Sequence, residues 1–363
     1  MKQLLQFKPL GKFFFGGSRT FADDRQSYYA HSEYFPQQTA ILGMLRYEIL
    51  KLNNALTKSA EEKETIIGTD FDGTPQKGFG KIKSISPVFI LENETMWLPA
   101  GKDHQFYKDK NDKKKEVYCH LDFDGMANRP AISGFDHKEQ LKMRLASYAD
   151  GTTNGVLSKD YDCFFQTVST VGNKKNNEVD AGRTKMGLDD AYYKDDKLIF
   201  KRDKLTYQSK FSFGVWVDCE DDLSTLNKVF LGRETAFEVK IVSTEECLFD
   251  TIKTQNEIYT DLANAKIVLL NNAYIADLKN LRENADFILA GDAVPFRYIK
   301  SPKDNGSYFK MPTKEEDSRR SVQRYLLERG TVIYPKNLSK IKELLDNQAF
   351  QTIGYNHYRI LSR

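Results

Sequence analysis

The stretch FPQQTAILGMLRYEIL, from Phe35 to Leu50, has the apolar spacing of a helix that packs on a core. It predicts a helix from about Gln38 to Leu52, with one apolar stripe formed by Ile41, Leu45, Ile49 and Leu52. Two residues are unusual for such a helix. Gly43 costs about 1 kcal/mol relative to alanine in mid-helix. Arg46 lies between leucines that are one helical turn away on either side.

The composition of the chain limits the class of protein that it can be. The chain has 363 residues, enough for about two domains of ordinary size. Its 54 basic and 51 acidic residues nearly balance, which excludes a uniformly basic nucleic-acid binder, so an anionic partner would have to meet a local groove. No apolar run approaches the roughly 20 residues of a membrane span. The four cysteines have no paired spacing, which predicts neither a zinc site nor a disulfide framework and indicates the cytoplasm.

The order of the remaining elements predicts an α+β fold, because strands and helices mix without strict alternation. KIKSISPVFILENETMWLP, residues 81–99, is typical of a hairpin. Further helices are expected at about His137–Ala149, Phe249–Asn264 and Leu338–Gln348. Strand character on both sides of the polar tip GNKKNNE predicts a second hairpin over about residues 160–187.

Few residues suggest catalytic chemistry. TDFDGT, from Thr69 to Thr74, resembles the aspartate motif of haloacid-dehalogenase phosphatases, but the PQKGFG that follows cannot form the helix that this motif requires. We interpret it as an Asp-Gly turn. The five histidines have no metal-binding spacing. His31, in the segment before the first helix, is a candidate general base, although a packing role is the commoner use of such a residue.

Several segments, taken in order, resemble a known family. They are FFFGGSRTF, FPQQTAILGMLR, GKIKSISPVFI, WLPAGKD, GRTKMGLDDAYYKDDKLIFKRDKL, LERGTVIYP and TIGYN. Each is weak alone, but their order and spacing are similar to those of the third subunit of the type III-B CRISPR Cmr effector complex, in the Cas-five-like group of RAMP proteins. The resemblance extends over most of the chain.

The resemblance implies two ferredoxin-like (RRM-like, RAMP) domains, at residues 1–190 and 191–363, with the hairpin at about 160–187 projecting as a thumb. It implies a non-catalytic ribonucleoprotein subunit that acts in antiviral defence without cofactor, metal or membrane. Such a subunit grips the 5′ repeat-derived handle of the CRISPR RNA. It docks on the large polymerase-like subunit and the first backbone RAMP subunit, and it meets target RNA only indirectly.

The resemblance also suggests which residues bind RNA. They are Arg19, Gly43, Arg46, Lys174, Lys175, Arg183, Lys185, Gly354, Tyr355 and Asn356. Gly43 would let the helix approach a neighbouring strand or an RNA backbone closely. Arg46 would pack its stem on the leucines and direct its guanidinium to a phosphate or a splayed base. Pairing of Arg46 with a carboxylate such as Glu33 is the open alternative.

An enzymatic alternative also stays open. A RAMP endoribonuclease that processes precursor CRISPR RNA could use His31 as general base. Such cleavage activates a 2′-hydroxyl and needs an acid–base pair beside the scissile phosphate. The sequence offers His31 but no partner at a fixed spacing.

Overall fold

The structure, a computed structural model, describes residues 1–17, 29–74, 78–108, 116–120, 123–124, 131–132, 144–148, 158–173, 192–231, 235–244, 247–259, 264–298 and 321–363. Within these residues the chain is a mixed α/β protein with several antiparallel sheets. None of the described helices combines the length and apolarity needed to cross a membrane.

The elements up to residue 200 are mostly short strands. In chain order they are β1 (Lys2–Pro9), β2 (Tyr29–His31), α1 (Gln38–Leu52), α2 (Ala60–Ile67), β3 (Ile82–Ile85), β4 (Phe89–Glu92), β5 (Thr95–Pro99), β6 (His104–Lys108), β7 (Glu116–His120), β8 (Phe123–Asp124), β9 (Ala131–Ile132), β10 (Arg144–Tyr148), β11 (Ser158–Asp160), β12 (Phe165–Asn173) and β13 (Tyr192–Phe200).

The later elements include most of the described helices. They are β14 (Phe211–Cys219), β15 (Lys228–Phe230), β16 (Ala236–Ser243), α3 (Leu248–Ile258), β17 (Ala265–Leu269), α4 (Leu278–Glu283), β18 (Ala285–Leu289), β19 (Val294–Phe296), β20 (Arg324–Leu326), β21 (Val332–Pro335), α5 (Leu338–Leu345), α6 (Gln348–Thr352) and β22 (Tyr358–Ser362).

The N-terminal sheet is organised around β1, which lies between β14 and β16 in the order β11-β10-β5-β4-β14-β1-β16-β15. Alternate residues of β1 are buried, because successive side chains of a strand point to opposite faces. Leu5 and Phe7 share a core with Ile41 and Leu45 of α1. Since β1 pairs with β14 and β16, this sheet extends past the boundary predicted at residue 190.

The C-terminal sheet has the order β18-β21-β17-β22. The chain passes through it as β17, α4, β18, β21, α5 and β22, and all neighbouring strands are antiparallel. Helix α5 covers the sheet, because Ile341 and Leu345 share a core with Ile267 of β17 and Ile333 of β21. This sheet therefore has a core of its own.

Several predicted elements are confirmed and one is wrong. Helix α1 has the predicted bounds, β4 and β5 form the expected hairpin, and α3 and α5 lie in their predicted segments. The expected helix at His137–Ala149 is instead strand β10 over its described part, where Leu145 pairs with Pro99. Leu145 and Ala146 are both buried, so opposite faces of this strand are covered and the strand lacks the alternation that would have identified it.

Two antiparallel strands, β12 and β13, lie in the region of the predicted second hairpin, with bounds that differ from the prediction. β12 and β13 pair from Phe165 opposite Phe200 to Asn173 opposite Tyr192, so the described pairing continues to Phe200, past the predicted end at residue 187. Rings of Phe165 and Phe200 stack at 5.0 Å in the core and hold the base of this hairpin. Its tip lies outside the described residues, as do Arg19, Lys174, Lys175, Arg183 and Lys185.

A buried polar turn joins the two sheets. Asp103 has no exposed surface and accepts hydrogen bonds from Lys266 Nζ at 2.6 Å and from the Tyr334 hydroxyl at 3.1 Å. His104 Nδ1 lies 2.9 Å from the same carboxylate. Burial would raise the pKa of Asp103, but the hydrogen bonds and charges of His104 and Lys266 outweigh it and hold that pKa well below its ordinary value.

Loss of the Asp103 charge should therefore destabilise the whole chain. We expect Asp103→Asn to reduce the free energy of unfolding by about 3–5 kcal/mol, because Lys266 would stay buried without its counter-charge. Urea denaturation measures this change. Lys279→Ala, in an exposed pair with Glu283 on α4, is the matched control and should change little. Equal effects of the two substitutions would contradict this role for Asp103.

Candidate nucleic-acid interface

A cavity of about 100 Å³ lies where the segment before α1 meets the C-terminal sheet. Both parts of the chain contribute to its lining. Tyr34, Phe35 and Gln37 come from the segment that precedes α1, whereas Asn271 and Arg329 come from the ends of β17 and β20. We call this the inter-sheet pocket.

Arg329 is the central cation of the inter-sheet pocket. Its side chain is buried, and its guanidinium lies 4.0 Å above the ring centroid of Phe35, within the range of a cation–π interaction. Nη2 donates a hydrogen bond to Asn271 Oδ1 at 2.8 Å, while Nη1 is buried and has no hydrogen-bond partner among the described residues. Burial lowers the pKa of Arg329, yet arginine stays protonated in proteins. An unsatisfied buried donor costs about 1–3 kcal/mol, which an added acceptor would recover.

The glycine after Arg329 explains why the chain can turn at this point. Gly330 has φ +77°, and a Cβ at this position would lie 2.8 Å from the carbonyl oxygen of Ala100. The close approach lets the Lys102 backbone N–H donate to the Gly330 carbonyl at 2.9 Å. The same turn of the N-terminal sheet that carries Asp103 thus also fixes the backbone beside Arg329.

Acidic groups border the same pocket. The pKa of Glu33 is raised above its ordinary value, mainly by desolvation. The charge of Glu328 also raises this pKa, and the charge of Arg329 opposes the rise. Glu328 forms an ion pair with Lys102. With a cation, two carboxyl groups and aromatic rings, the pocket suits a neutral planar group that has both donors and acceptors better than it suits a phosphate. The edge of an unstacked nucleobase is such a group.

Tyr355 is the predicted RNA-binding residue that lines the inter-sheet pocket. Its hydroxyl accepts a hydrogen bond from the Gln38 backbone N–H at 3.2 Å, at the start of α1. Burial raises the pKa of Tyr355, so the phenol is neutral at physiological pH. The residue therefore links the first turn of α1 to the loop between α6 and β22.

The neighbours of Tyr355 hold that loop inside the protein. Gly354 has φ +91°, and a Cβ there would lie 2.5 Å from the carbonyl oxygen of Ser86. Asn356 is fully buried at φ +57°, and its side chain bonds both the backbone N–H and the carbonyl of Tyr274. In the free chain these two predicted RNA-binding residues make protein contacts, and their contact with RNA stays a prediction.

Arg46 pairs with a carboxylate in the free chain. Nη1 donates to Asp70 Oδ1 at 2.6 Å, and Nη2 donates to the Gly68 carbonyl at 2.9 Å. The partner is thus Asp70 of the TDFDGT segment and not Glu33. The other aspartate of this segment, Asp72, accepts a hydrogen bond from the Thr74 backbone N–H at 2.8 Å, as an Asp-Gly turn predicts.

Gly43 has no close neighbour among the residues that the structure describes. It lies on the exposed side of α1, and among the described residues nothing comes within 4 Å of a Cβ built there. The described residues therefore give no close approach of a strand to Gly43. Its contact with an RNA backbone stays a prediction.

His31 has a partner that sequence spacing could not reveal. β2 runs parallel to β13, with His31 in register with Asp196, and the His31 Nδ1 lies 3.2 Å from Asp196 Oδ2. Asp196 is buried and also accepts from Ser169 Oγ at 2.6 Å, whereas the His31 side chain is 55% exposed. A carboxylate in this position can orient an imidazole. In the part of the chain that the structure describes, no group of three or more His, Cys, Asp or Glu side chains could hold a metal ion.

Comparison with known families gives one match that spans the chain. The model of a family described as CRISPR-associated protein (Cas_Cmr3) matches residues 5–363. This confirms the resemblance that the order of sequence motifs indicated. No curated protein matches the sequence.

Solved structures give more distant likenesses. Two cryo-EM structures of the Type III-B Cmr-beta bound to cognate target RNA, one of them also with AMPPnP, each contain a chain that is 13% identical. Each alignment covers 98% of this chain and 95% of that chain, with a TM-score of 0.48. A chain in the crystal structure of a Csm3-Csm4 subcomplex of the type III-A CRISPR-Cas interference complex is 12% identical over 92% of each chain, with a TM-score of 0.37. Membership of the family rests on the match of the family model and not on these likenesses.

The Arg46–Asp70 pair predicts a measurable coupling. We expect Arg46→Ala and Asp70→Ala each to lower the free energy of unfolding by about 1–2 kcal/mol, with a coupling above about 0.5 kcal/mol in the double-mutant cycle. The Arg46 side chain is 14% exposed and so is poorly screened by solvent. Lys340 and Glu343, an exposed pair on α5, provide the control cycle, which should show no coupling. Independent effects at Arg46 and Asp70 would contradict a structural role for the pair.

Proposed function

We propose, from the premise that this chain belongs to the CRISPR-associated Cas_Cmr3 family, that it is a non-catalytic, RNA-binding subunit of a type III-B effector complex. In that complex it grips the 5′ handle of the CRISPR RNA and docks on the large polymerase-like subunit and the first backbone subunit. It thereby serves antiviral defence in the cytoplasm. The family match, which includes both sheets, is the observation that carries this proposal.

The connectivity of the two sheets supports a pair of ferredoxin-like units. Such a unit has βαββαβ connectivity. In the C-terminal sheet the chain order β17-α4-β18-β21-α5-β22 has the spatial order β22-β17-β21-β18. In the N-terminal sheet β1, α1, β4, β14 and β16 follow the same scheme, in the spatial order β16-β1-β14-β4. There the connection from β14 to β16 contains the short strand β15 where the scheme has its second helix.

The inter-sheet pocket is the place where we infer that a handle base binds. Arg329 would offer its unpartnered Nη1 to a base acceptor after a small movement of the side chain. Glu33 would accept from a base donor, and the carboxyl groups would repel a phosphate that entered the pocket. The volume of about 100 Å³ suits insertion of a base edge and not of a whole nucleotide.

The β12–β13 hairpin is the element that we infer docks on the backbone subunit. Its base is fixed in the core by Phe165 and Phe200. Further along β12, the Val171 side chain is 67% exposed and could be covered by a partner. The proposed thumb thus has a base that is packed in the core and an outer part with Val171 exposed.

A nuclease remains the second candidate, because Asp196 orients His31 at an exposed position. Precursor cleavage needs a base for the 2′-hydroxyl and an acid for the leaving oxygen. His31 could supply the first role. The proposal of a non-catalytic subunit and this alternative give opposite outcomes in one assay.

That assay incubates the purified chain with labelled repeat-derived RNA. We expect a mobility shift without a cleaved product, and tighter binding to RNA that contains the handle than to RNA of equal length without it. Arg329→Gln should weaken handle binding by roughly fivefold to a hundredfold, because a base contact of this kind is worth about 1–3 kcal/mol. Arg282→Gln, an exposed arginine on α4, should bind like the unmodified chain.

Two further results make the assay decisive. Arg329→Lys keeps the charge but not the planar donors, so reduced handle binding at an unchanged melting temperature would separate recognition from folding. Release of a fixed RNA fragment that disappears in His31→Ala would overturn the non-catalytic proposal and support the nuclease.

A further inference from the structure

A second groove lies on the N-terminal sheet, where the end of β1 meets the segment after β13. Its volume is about 370 Å³, and its lining includes Lys8, Phe200, Arg202, Tyr207 and Gln208. It shares no lining residue with the inter-sheet pocket. We call it the β1-end groove.

The β1-end groove is cationic. Lys8 and Arg202 are the charged residues of its lining, and neither forms an ion pair within the described part of the chain. Lys201 and Lys204 are exposed beside it and add positive charge. The nearby Asp203 is charged but is not part of the lining, and its carboxylate accepts hydrogen bonds from the backbone N–H groups of the turn after it.

That turn holds an aromatic ring in solvent. Asp203 Oδ1 accepts from the backbone N–H groups of Leu205 and Thr206, each at 2.9 Å, and the hydrogen bonds from Thr206 and Leu205 lower the pKa of Asp203. Tyr207 follows at φ +55°, a left-handed conformation that bulky residues rarely adopt. Its N–H donates to the Asp203 carbonyl at 3.0 Å, and the residue is 75% exposed. Strained backbone that is held by surrounding hydrogen bonds is often found at binding sites.

These groups match the two halves of a nucleotide. The cations suit a phosphate, and the exposed Tyr207 ring offers a face on which a base can stack whatever its sequence. The Gln208 amide and the Ser209 hydroxyl, also in the lining, supply hydrogen-bonding groups. A volume of about 370 Å³ is in the range of small-molecule sites and leaves room for one nucleotide unit. In contrast to the inter-sheet pocket, no carboxylate in this lining would repel the phosphate.

We propose that the β1-end groove binds one nucleoside-phosphate unit through Tyr207, Arg202 and Lys8. The unit belongs either to a single-stranded RNA or to a free nucleotide. This goes beyond the proposed function, because the groove needs no handle sequence and uses none of the residues of the inter-sheet pocket.

The test measures binding of the full chain to a short, labelled oligouridylate without handle sequence, by fluorescence anisotropy at several salt concentrations. Tyr207→Ala should weaken binding roughly fivefold to a hundredfold, the range that base stacking supplies. Tyr207→Phe should bind like the unmodified chain, because the ring remains. Arg202→Gln should weaken binding and reduce the salt slope by about 0.7, the value for one phosphate contact on a single strand.

The chain offers a matched control. Phe230 on β15 is 65% exposed, and Lys228 Nζ lies 5.4 Å from its ring centroid, so this pair has an aromatic face and a cation outside the groove. Phe230→Ala and Lys228→Gln should leave oligouridylate binding unchanged. Equal losses in these control variants would mean that binding is only general surface attraction and would overturn the proposal.

Competition with uridine 5′-monophosphate distinguishes the two sources. Displacement of the oligouridylate indicates a free nucleotide site, and retention of the oligouridylate, with Tyr207 still required, indicates a strand site. Unchanged affinity in both Tyr207→Ala and Arg202→Gln would overturn the proposal. The proposal would also be overturned if Tyr207→Ala bound oligouridylate normally but the complex assembled with this variant lacked a partner subunit. Handle binding in the inter-sheet pocket is tested separately, with handle RNA and Arg329 variants. Either proposal can therefore fail while the other is supported.

Discussion

The buried ion pair between Asp103 and Lys266 is the interaction on which the arrangement of the chain depends. The aspartate stands on a turn of the N-terminal sheet and the lysine on a strand of the C-terminal sheet, with their charged atoms 2.6 Å apart. A charge without exposed surface is tolerated only where its partner is in place, so the two sheets meet in one register. The Tyr334 hydroxyl satisfies the same carboxylate oxygen as Lys266 and completes the contact.

The contact between the sheets also fixes the backbone of the inter-sheet pocket. The turn that carries Asp103 also binds the Gly330 carbonyl through the Lys102 N–H, and Arg329 is the residue immediately before Gly330. The position of the buried guanidinium over Phe35 therefore follows from the contact between the sheets. The β1-end groove needs no such contact, since β1, β13 and the turn after it belong to the N-terminal part alone. The inter-sheet pocket thus depends on the contact between the sheets, and the β1-end groove does not.

Local sequence patterns correctly predicted features that depend on neighbouring residues in the chain. The apolar stripe of α1 gave its bounds, and the order of motifs identified the family. Helix α2 was missed although its capping box, with Ser59 and Glu62 bonded reciprocally, can be read from the sequence. Strand β10 was mistaken for a helix because burial on both faces removes the alternation of a strand. The pairs His31–Asp196 and Arg46–Asp70 depend on how distant segments meet, which spacing cannot supply. Arg329 was not among the predicted site residues, although the glycine that follows it in LERG was a signal of close backbone approach.

Ultraviolet crosslinking in the complex assembled in a native host tests whether this chain holds the handle of the CRISPR RNA. The complex is purified through this chain, its bound RNA is sequenced, and the crosslinked peptides are identified by mass spectrometry. If this chain holds the handle, CRISPR RNA copurifies with the complex, and its handle nucleotides crosslink to peptides of this chain that contain Arg329 or Tyr355. A complex whose handle crosslinks only to other subunits, or a chain that purifies without RNA, would contradict it.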